Sequence, residues 1–335
     1  MLLSIAAVIG GFALLVWGAD RFVHGAAATA RNLGVSPLII GLTIVGFGTS
    51  APEILVSAMA AWQGNPGLAV GNAIGSNITN ISLILGATAL VVPLTVSSAT
   101  LRRELPILLA LMLATLVLVL DGHLGRTDGL ILLAGLVWML VWMTRLGLAS
   151  RREDGDPMIE EFAEEVPAGI PMWQALTWTG VGLAVLLASS RLLVWGAVDI
   201  AEALGVSDLV IGLTIVALGT SLPELAASVV SALKGEPDIA VGNVIGSNMF
   251  NLLAVLGMPG LLYPAPVEPA VLFRDYPVMI GVTVAMFLMA YGIRRPGHIS
   301  RWEGGLLLGA YVAYQGLLYW SIVGSAPAVM LEPIS

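Results

Sequence analysis

The chain contains one long internal repeat. Residues 41–85 recur 171 positions later as residues 212–256, and about half of the aligned positions are identical. The two copies read GLTIVGFGTSAPE with GNAIGSNITN, and GLTIVALGTSLPE with GNVIGSNMFN. A period this long, present in only two copies, indicates a duplicated half-protein rather than a solenoid or propeller.

Each copy carries one glutamate, Glu53 or Glu224, inside an otherwise apolar stretch. The chain is 58% hydrophobic and 11% charged, and its mean hydropathy is +0.94. These values are typical of a polytopic membrane protein. An ionisable group inside a membrane is costly, so it indicates a functional site. The sequence therefore predicts a site with two equivalent walls.

We predict an all-α integral membrane protein with ten transmembrane helices, arranged as two inverted five-helix repeats. Residues 1–150 would form the first repeat, residues 151–170 an acidic linker and residues 171–335 the second repeat. No Lys or Arg precedes the first apolar stretch, which favours a spanning helix over a signal peptide. The expected spans, each near the roughly 20 residues that a bilayer requires, are 2–30, 37–62, 67–91, 101–120, 126–147, 171–203, 208–233, 238–262, 272–293 and 302–323.

The distribution of positive charge predicts the orientation of these spans. Ten of the fourteen Lys and Arg residues lie in or beside loops on one side, whereas Arg126 and Arg274 lie clearly in loops on the other. By the positive-inside rule, the linker is cytoplasmic and both termini are extracytoplasmic. We expect a plasma-membrane or inner-membrane location. Because five spans per half is an odd number, the second repeat enters the membrane inverted, as in many secondary transporters.

Proline interrupts one helix in each half, immediately before the glutamate. Pro52 and Pro223 have no backbone N–H to bond the carbonyl four residues earlier. Helical spacing then aligns polar side chains with each glutamate and with Asn80 or Asn251 on the next span. The aligned hydroxyls and amides are Thr49, Ser50, Ser57, Ser76 and Asn77 in the first half, and Thr220, Ser221, Ser228, Ser247 and Asn248 in the second.

A pocket that contains only oxygen ligands and two carboxylates suits a hard cation such as Ca²⁺. With no Cys and three His, the chain offers little for zinc or haem, and we expect no cofactor. The pocket could be neutralised by one Ca²⁺, by two or more Na⁺ or by two protons. Competition for one alternating site gives antiport. The transported ions and the lipid bilayer are the expected partners, with no nucleic acid and no obligate protein partner.

The blocks GTSAPEI with GNAIGSNITN, and GTSLPEL with GNVIGSNMFN, closely resemble the two alpha-repeats of the sodium/calcium exchanger family, within the cation/calcium antiporter superfamily. The resemblance implies a prokaryotic-type ten-helix exchanger of Ca²⁺ for Na⁺. It implies that Glu53 and Glu224 ligate Ca²⁺ with the carbonyls of Thr49 and Thr220. The implied Na⁺ ligands are Ser50, Ser76, Ser221 and Ser247 with the carbonyls of Gly46 and Ala217, and Asn80 and Asn251 lie at the centre.

One position departs from the family pattern. Sodium-coupled members often carry Asp where this chain has Asn251. The loss of that charge leaves Ca²⁺/H⁺ antiport, or antiport of another divalent cation for H⁺, as the alternative. An enzyme is disfavoured because no HExxH motif and no nucleophile paired with a base accompanies the glutamates. His24, in the first span, is expected to pack against neighbouring helices rather than to bind an ion.

Overall fold

The computed structural model describes residues 1–35, 40, 48–96, 99–150, 167, 169–290 and 297–325. The acidic segment 153–165 and Gly46 lie outside these residues. The chain is an all-α integral membrane protein, with only four very short strands in the described part. Six described helices are long and apolar enough to cross a membrane, or seven if a bent pair counts as one span. The count of ten spans stays a prediction.

The described helices follow the predicted spans closely, with boundaries set by recognisable local signals. Pro66 and Pro237 each start a helix at its first position, where the missing N–H costs nothing. Gly205 and Gly235 end helices with φ of +64° and +87°, in the left-handed region that favours glycine. The helices in the first half are α1 (Leu2–Asn32), α2 (Ala51–Trp62), α3 (Pro66–Thr79), α4 (Gly86–Val91), α5 (Ala99–Val119) and α6 (Arg126–Ser150).

In the second half, shorter segments make up two of the spans. The helices there are α7 (Met172–Leu204), α8 (Asp208–Ile211), α9 (Ala217–Thr220), α10 (Leu222–Lys234), α11 (Pro237–Phe250), α12 (Gly257–Leu262), α13 (Tyr276–Ala290) and α14 (Arg301–Ser325). The described part of the chain contains four π-helical turns. Three connect neighbouring helices (Asn80–Leu85, Gly212–Val216 and Asn251–Val255), and Val271–Asp275 directly precedes α13. Such turns are rare in proteins, and those that occur are often found at functional sites.

Two small antiparallel sheets join loops that are far apart in sequence. Strand β1 (Leu94–Val96) pairs with β4 (Gly297–Ile299), and β2 (His123–Leu124) pairs with β3 (Ala265–Pro266). Each pair connects two loops that the predicted topology places on the same side of the membrane. The sheets therefore agree with the predicted order of the spans.

The core is centred on α3 and α11, the helices that follow the glutamates. Twelve of the fourteen residues of α3 are buried, although the span is no more apolar than its neighbours. Gly75 permits this close packing, since a Cβ there would lie 2.8 Å from the Cβ of Ala217 and 2.8 Å from the Cα of Leu213. The two halves thus contact each other through the backbone of their repeated blocks, and α1 packs lengthwise against α7.

Candidate cation-binding site

The predicted helix break is present in the second half of the chain. Helix α9 ends at Thr220 and α10 begins at Leu222, and the two parts of this span are bent by 42°. In the first half, α2 begins at Ala51, directly after a turn. Pro52 and Pro223 each lie in the first turn of the new helix, where proline is tolerated. The interruption therefore follows from the proline position in both repeats.

Glu53 and Glu224 occupy the first turn of α2 and α10 respectively, and both are completely buried. The N-terminal end of a helix carries partial positive charge and so favours a carboxylate. Neither glutamate forms an ion pair with a described Lys, Arg or His. Ser221, three residues before Glu224, donates to Glu53 across the two repeats. The structure therefore brings together the two acidic residues that the sequence singled out.

In each carboxylate, one oxygen accepts a hydrogen bond and the other has no hydrogen-bond partner among the described residues. Ser221 Oγ donates to Glu53 Oε1 at 3.4 Å, and Ser247 Oγ donates to Glu224 Oε1 at 3.1 Å. The Oε2 atoms of both glutamates are buried and accept no hydrogen bond from described residues. An unsatisfied buried carboxylate oxygen is costly and requires an explanation, such as an absent ion. These two Oε2 atoms are thus the carboxylate oxygens that no described donor satisfies.

A reciprocal pair of hydrogen bonds joins the two repeats. Thr220 Oγ1 donates to Asn72 Oδ1 at 3.1 Å, and Thr49 Oγ1 donates to Asn243 Oδ1 at 3.4 Å. In each pair the threonine of one repeat reaches the amide of the other, and both partners shift by 171 positions. Hydrogen bonds therefore join the broken helix of each repeat to the following helix of the other repeat at equivalent positions.

Sequence reasoning missed Asn72 and Asn243. Asn72 Nδ2 donates to the carbonyl of Glu53 at 3.1 Å and to Ser57 Oγ at 3.0 Å, so this amide orients the backbone that presents the carboxylate. Both asparagines follow their glutamate by nineteen positions and stand inside the repeated Gly-Asn pair. That repetition was the available signal, but the glycine obscured it by suggesting helix packing alone.

The serine residues predicted to bind Na⁺ lie around the glutamates. Ser50 Oγ donates to Ser247 Oγ at 3.1 Å, and Ser247 in turn donates to Glu224. Ser76 Oγ lies 3.5 Å from Asn72 Oδ1, at the limit of a hydrogen bond. Ser50, Ser76, Ser221 and Ser247 are all buried. The structure thus places these four hydroxyls in one polar cluster with the carboxylates.

The two central asparagines each begin a π-helical turn. Asn80 Nδ2 donates to Asn248 Oδ1 at 3.1 Å, while Asn80 Oδ1 has no described partner. Both amide atoms of Asn251 are likewise buried and without a described partner. A π-turn displaces the backbone by one residue, so it can aim these amides inward. Asn80 and Asn251 are therefore buried amides whose Oδ1 atoms have no hydrogen-bond partner among the described residues.

The predicted carbonyl ligands are only partly described. Ala217 O accepts bonds from Ser221 N at 3.2 Å and from Thr220 Oγ1 at 3.4 Å. This carbonyl lies in the broken segment beside the site, but it already accepts two hydrogen bonds. Gly46, the equivalent residue of the first half, lies outside the described residues. Thr49 is partly exposed, whereas its counterpart Thr220 is fully buried.

The donor set consists of two carboxylates with hydroxyl and amide oxygens. No group of three or more His, Cys, Asp or Glu side chains forms a metal cluster within the described ranges. Oxygen donors of this kind suit Ca²⁺ and Na⁺ rather than softer transition metals. With only two formal charges, the site suits an ion that binds reversibly.

Comparison with known proteins identifies the family. The family model described as sodium/calcium exchanger protein matches residues 3–145 and 174–320, which is most of the chain. The chain belongs to the sodium/calcium exchanger family. The matched segments contain both glutamates, both broken helices and every described residue of the polar cluster. The resemblance inferred from the repeated motifs is thereby confirmed.

Two relatives and a solved structure extend the match over nearly the whole chain. The putative antiporter CaxA of Alkalimonas amylolytica is 52% identical over 96% of this chain and 100% of its own length. The inner membrane protein YrbG of Escherichia coli K12 is 42% identical over 96% and 98%. The structure of the sodium-calcium exchanger NCX_Mj soaked with Na⁺ and Sr²⁺ is 34% identical, covers 93% of this chain and 97% of that one, and has a TM-score of 0.61.

Proposed function

We propose that this family member exchanges Ca²⁺ for Na⁺ by alternating access, with Glu53 and Glu224 sharing one cation site. The observation that carries the proposal is the pair of buried carboxylates at matched positions of the two repeats. Each has an oxygen without a hydrogen-bond partner among the described residues, and neither has a cationic partner there. A cation bound between them would satisfy both oxygens at once.

Electrostatics explains why such a site couples two ion fluxes. An ionised carboxylate at the centre of a bilayer costs at least about 2.5 to 3.5 kcal/mol. The empty, doubly charged site would therefore resist the conformational change that carries it across the membrane. One Ca²⁺, two or more Na⁺ or two protons would each neutralise it. Because these ions compete for the same oxygens, exchange of one for another resets the carrier.

The surrounding residues divide into proposed ligand groups. The carbonyls of Thr49 and Thr220 would complete the Ca²⁺ site, supported by the hydroxyl contacts that these residues make across the repeat interface. The hydroxyls of the four serines would line flanking Na⁺ sites, together with Ala217 and Gly46 carbonyls. Asn80 and Asn251 would lie at the centre.

We propose the topology that the sequence predicts. It has ten spans in two inverted repeats, 1–150 and 171–335, with both termini outside and the linker 151–170 in the cytoplasm. The agreement between helix bounds and predicted spans supports it, as do the two sheets that join loops of the same predicted side. The similarity to an inner membrane protein of Escherichia coli supports an inner-membrane location. Transport is the activity that we propose, not enzymatic catalysis.

The sharpest test uses proteoliposomes loaded with Na⁺ and diluted into Na⁺-free medium that contains ⁴⁵Ca²⁺. We expect uptake that depends on the outward Na⁺ gradient and stops when a Na⁺ ionophore collapses it. Vesicles loaded with K⁺ or choline are the matched controls. Uptake that is equal in all three would contradict exchange, because a channel conducts Ca²⁺ without a counter-ion.

Ca²⁺/H⁺ antiport is the alternative that one observation favours. Both central positions are amides, Asn80 and Asn251, so the described site holds two carboxylates rather than three. A pair of carboxylates could be neutralised by two protons as well as by Na⁺. Uptake in the same vesicles that follows an imposed pH gradient and ignores Na⁺ would establish this alternative.

A further inference from the structure

A cavity of about 480 Å³ lies beside the middle of helix α1 and reaches residues at the two helix breaks. Its described lining includes Asp20 and His24 of α1, Thr49, Pro223 and Pro167. Asn32, at the C-terminal end of α1, donates to the carbonyl of Ile170 at 3.0 Å, so the end of the predicted linker lies beside this end of the helix. By the proposed topology, the cavity opens toward the cytoplasm.

The cavity ends at the cation site. Thr49 Oγ1 lies 3.4 Å from Ser247 Oγ, which donates to Glu224, and Pro223 directly precedes that glutamate. Thr49 is partly exposed, whereas Thr220 is fully buried. The site is therefore more accessible beside Thr49, where the cavity reaches it, than beside Thr220.

Asp20 lies deep in this cavity. It precedes Asn32 by twelve residues, which places it about 18 Å from the end of the helix. Its side chain is nevertheless 66% exposed. A carboxylate at that depth is tolerated where it faces water rather than lipid. His24 lies one turn away and lines the same wall of the cavity.

Arg21 lies beside Asp20, but its presence does not change the contribution that Asp20 makes to the charge of the cavity. Arg21 Nε lies 3.4 Å from Asp20 Oδ2, but the guanidinium carbon lies 5.1 Å from the centre of the Trp178 ring and 6.0 Å from that of Trp17. These aromatic contacts hold the guanidinium of Arg21 beside the two tryptophan rings. Whatever Arg21 contributes, neutralising Asp20 changes the charge of the cavity by one unit.

Resting on the proposed function, we propose that Asp20 attracts cations at the cytoplasmic entrance and sets the apparent ion affinity on that side alone. The residue 171 positions later is Arg191, so the second repeat carries a positive charge at the equivalent position. An inverted second entrance would repel the cations that the first attracts. Asp20 should therefore raise cation affinity at the cytoplasmic face without an equivalent effect at the opposite face.

Asp20→Asn tests this in vesicles of both orientations. For charges about 10 Å apart in a wet cavity, Coulomb's law gives roughly a fourfold loss of affinity for Ca²⁺ but only about twofold for Na⁺. We expect these increases in the half-saturating concentrations at the cytoplasmic face, with no change at the other face. Asp199→Asn is the control, because it removes the same charge from α7, where Ser4 and the N-terminus contact Asp199. This variant should leave the half-saturating concentrations of both ions unchanged at both faces. Equal shifts at both faces, equal shifts for both ions, or no shift would overturn the proposal.

A second measurement needs no transport, so it separates failure of this proposal from failure of the proposed function. The chain contains no Cys, and His24→Cys therefore places a single thiol beside Asp20. A cationic methanethiosulfonate should modify this thiol faster than an anionic one, from the cytoplasmic face only. Adding Asp20→Asn should reduce the ratio of the two rates about fourfold. An unchanged ratio would show that Asp20 does not set the potential of the cavity.

Discussion

Replacing Glu53 or Glu224 by glutamine should abolish Na⁺-dependent ⁴⁵Ca²⁺ uptake. Each substitution keeps the shape of the side chain and removes half of the charge that the proposed site presents to Ca²⁺. Leaving one partner of a buried charge pair uncompensated costs about 3 to 5 kcal/mol, which corresponds to a loss of roughly 150- to 4,000-fold in affinity. Initial uptake rates at fixed Ca²⁺ measure the effect.

Thermal unfolding distinguishes loss of a ligand from loss of the fold. In ion-free buffer, both variants should melt at or above the wild-type temperature, because they no longer bury a carboxylate. Saturation at 100 times the Kd stabilises a protein by about 2.7 kcal/mol, so Ca²⁺ should raise the melting temperature of the wild type but not of the variants. Glu303→Gln is the matched control, since that carboxylate contacts Ser300 at the start of α14. Wild-type uptake in either site variant would remove that glutamate from the ligand set.

Asn251→Asp should change the coupling to Na⁺. The Asn251 side chain is buried and neither amide atom has a described partner, so the new carboxylate would be buried in the protein rather than exposed to water. A third charge favours binding of one further monovalent cation. We expect a steeper dependence of Ca²⁺ uptake on internal Na⁺ and a reversal potential that corresponds to a larger number of Na⁺ per Ca²⁺.

The control for this substitution is Asn65→Asp. Asn65 precedes the first turn of α3, outside the polar cluster, and the same added charge there should leave the Na⁺ dependence unchanged. If Asn251→Asp behaves like this control, Asn251 lies outside the ion pathway. If it abolishes transport at any Na⁺ concentration, the additional charge traps an ion rather than adding one to the cycle.

Much of the fold could be predicted because its signals are local. The span predicted at residues 67–91 appears in the structure as Pro66–Val91, and the break predicted at Pro223 appears as a bend of 42°. The π-helical turns and the two sheets were not predicted. A π-turn at Asn80 or Asn251 depends on how the helix packs, and strand pairs such as β1 with β4 join loops separated by about 200 residues.

The candidate site was predicted through repetition rather than through geometry. Glu53 and Glu224 stood out because a charge in an apolar stretch is unusual and both copies carry one. Asn72 and Asn243 did not stand out, because their partners, Thr220 and Thr49, lie in the other repeat. The cavity beside α1 was not predicted either, since a cavity is defined by the elements around it and not by a pattern within one helix.

Anomalous diffraction from crystals soaked with Sr²⁺, a larger analogue of Ca²⁺, tests the central claim most directly. The account predicts one dominant peak between α2 and α10, in contact with a carboxylate oxygen of Glu53 and one of Glu224. Oxygen distances near those of Ca²⁺, about 2.3 to 2.6 Å, or slightly longer are expected. A peak that contacts only one of the two carboxylates, or separate peaks at each, would contradict a shared site.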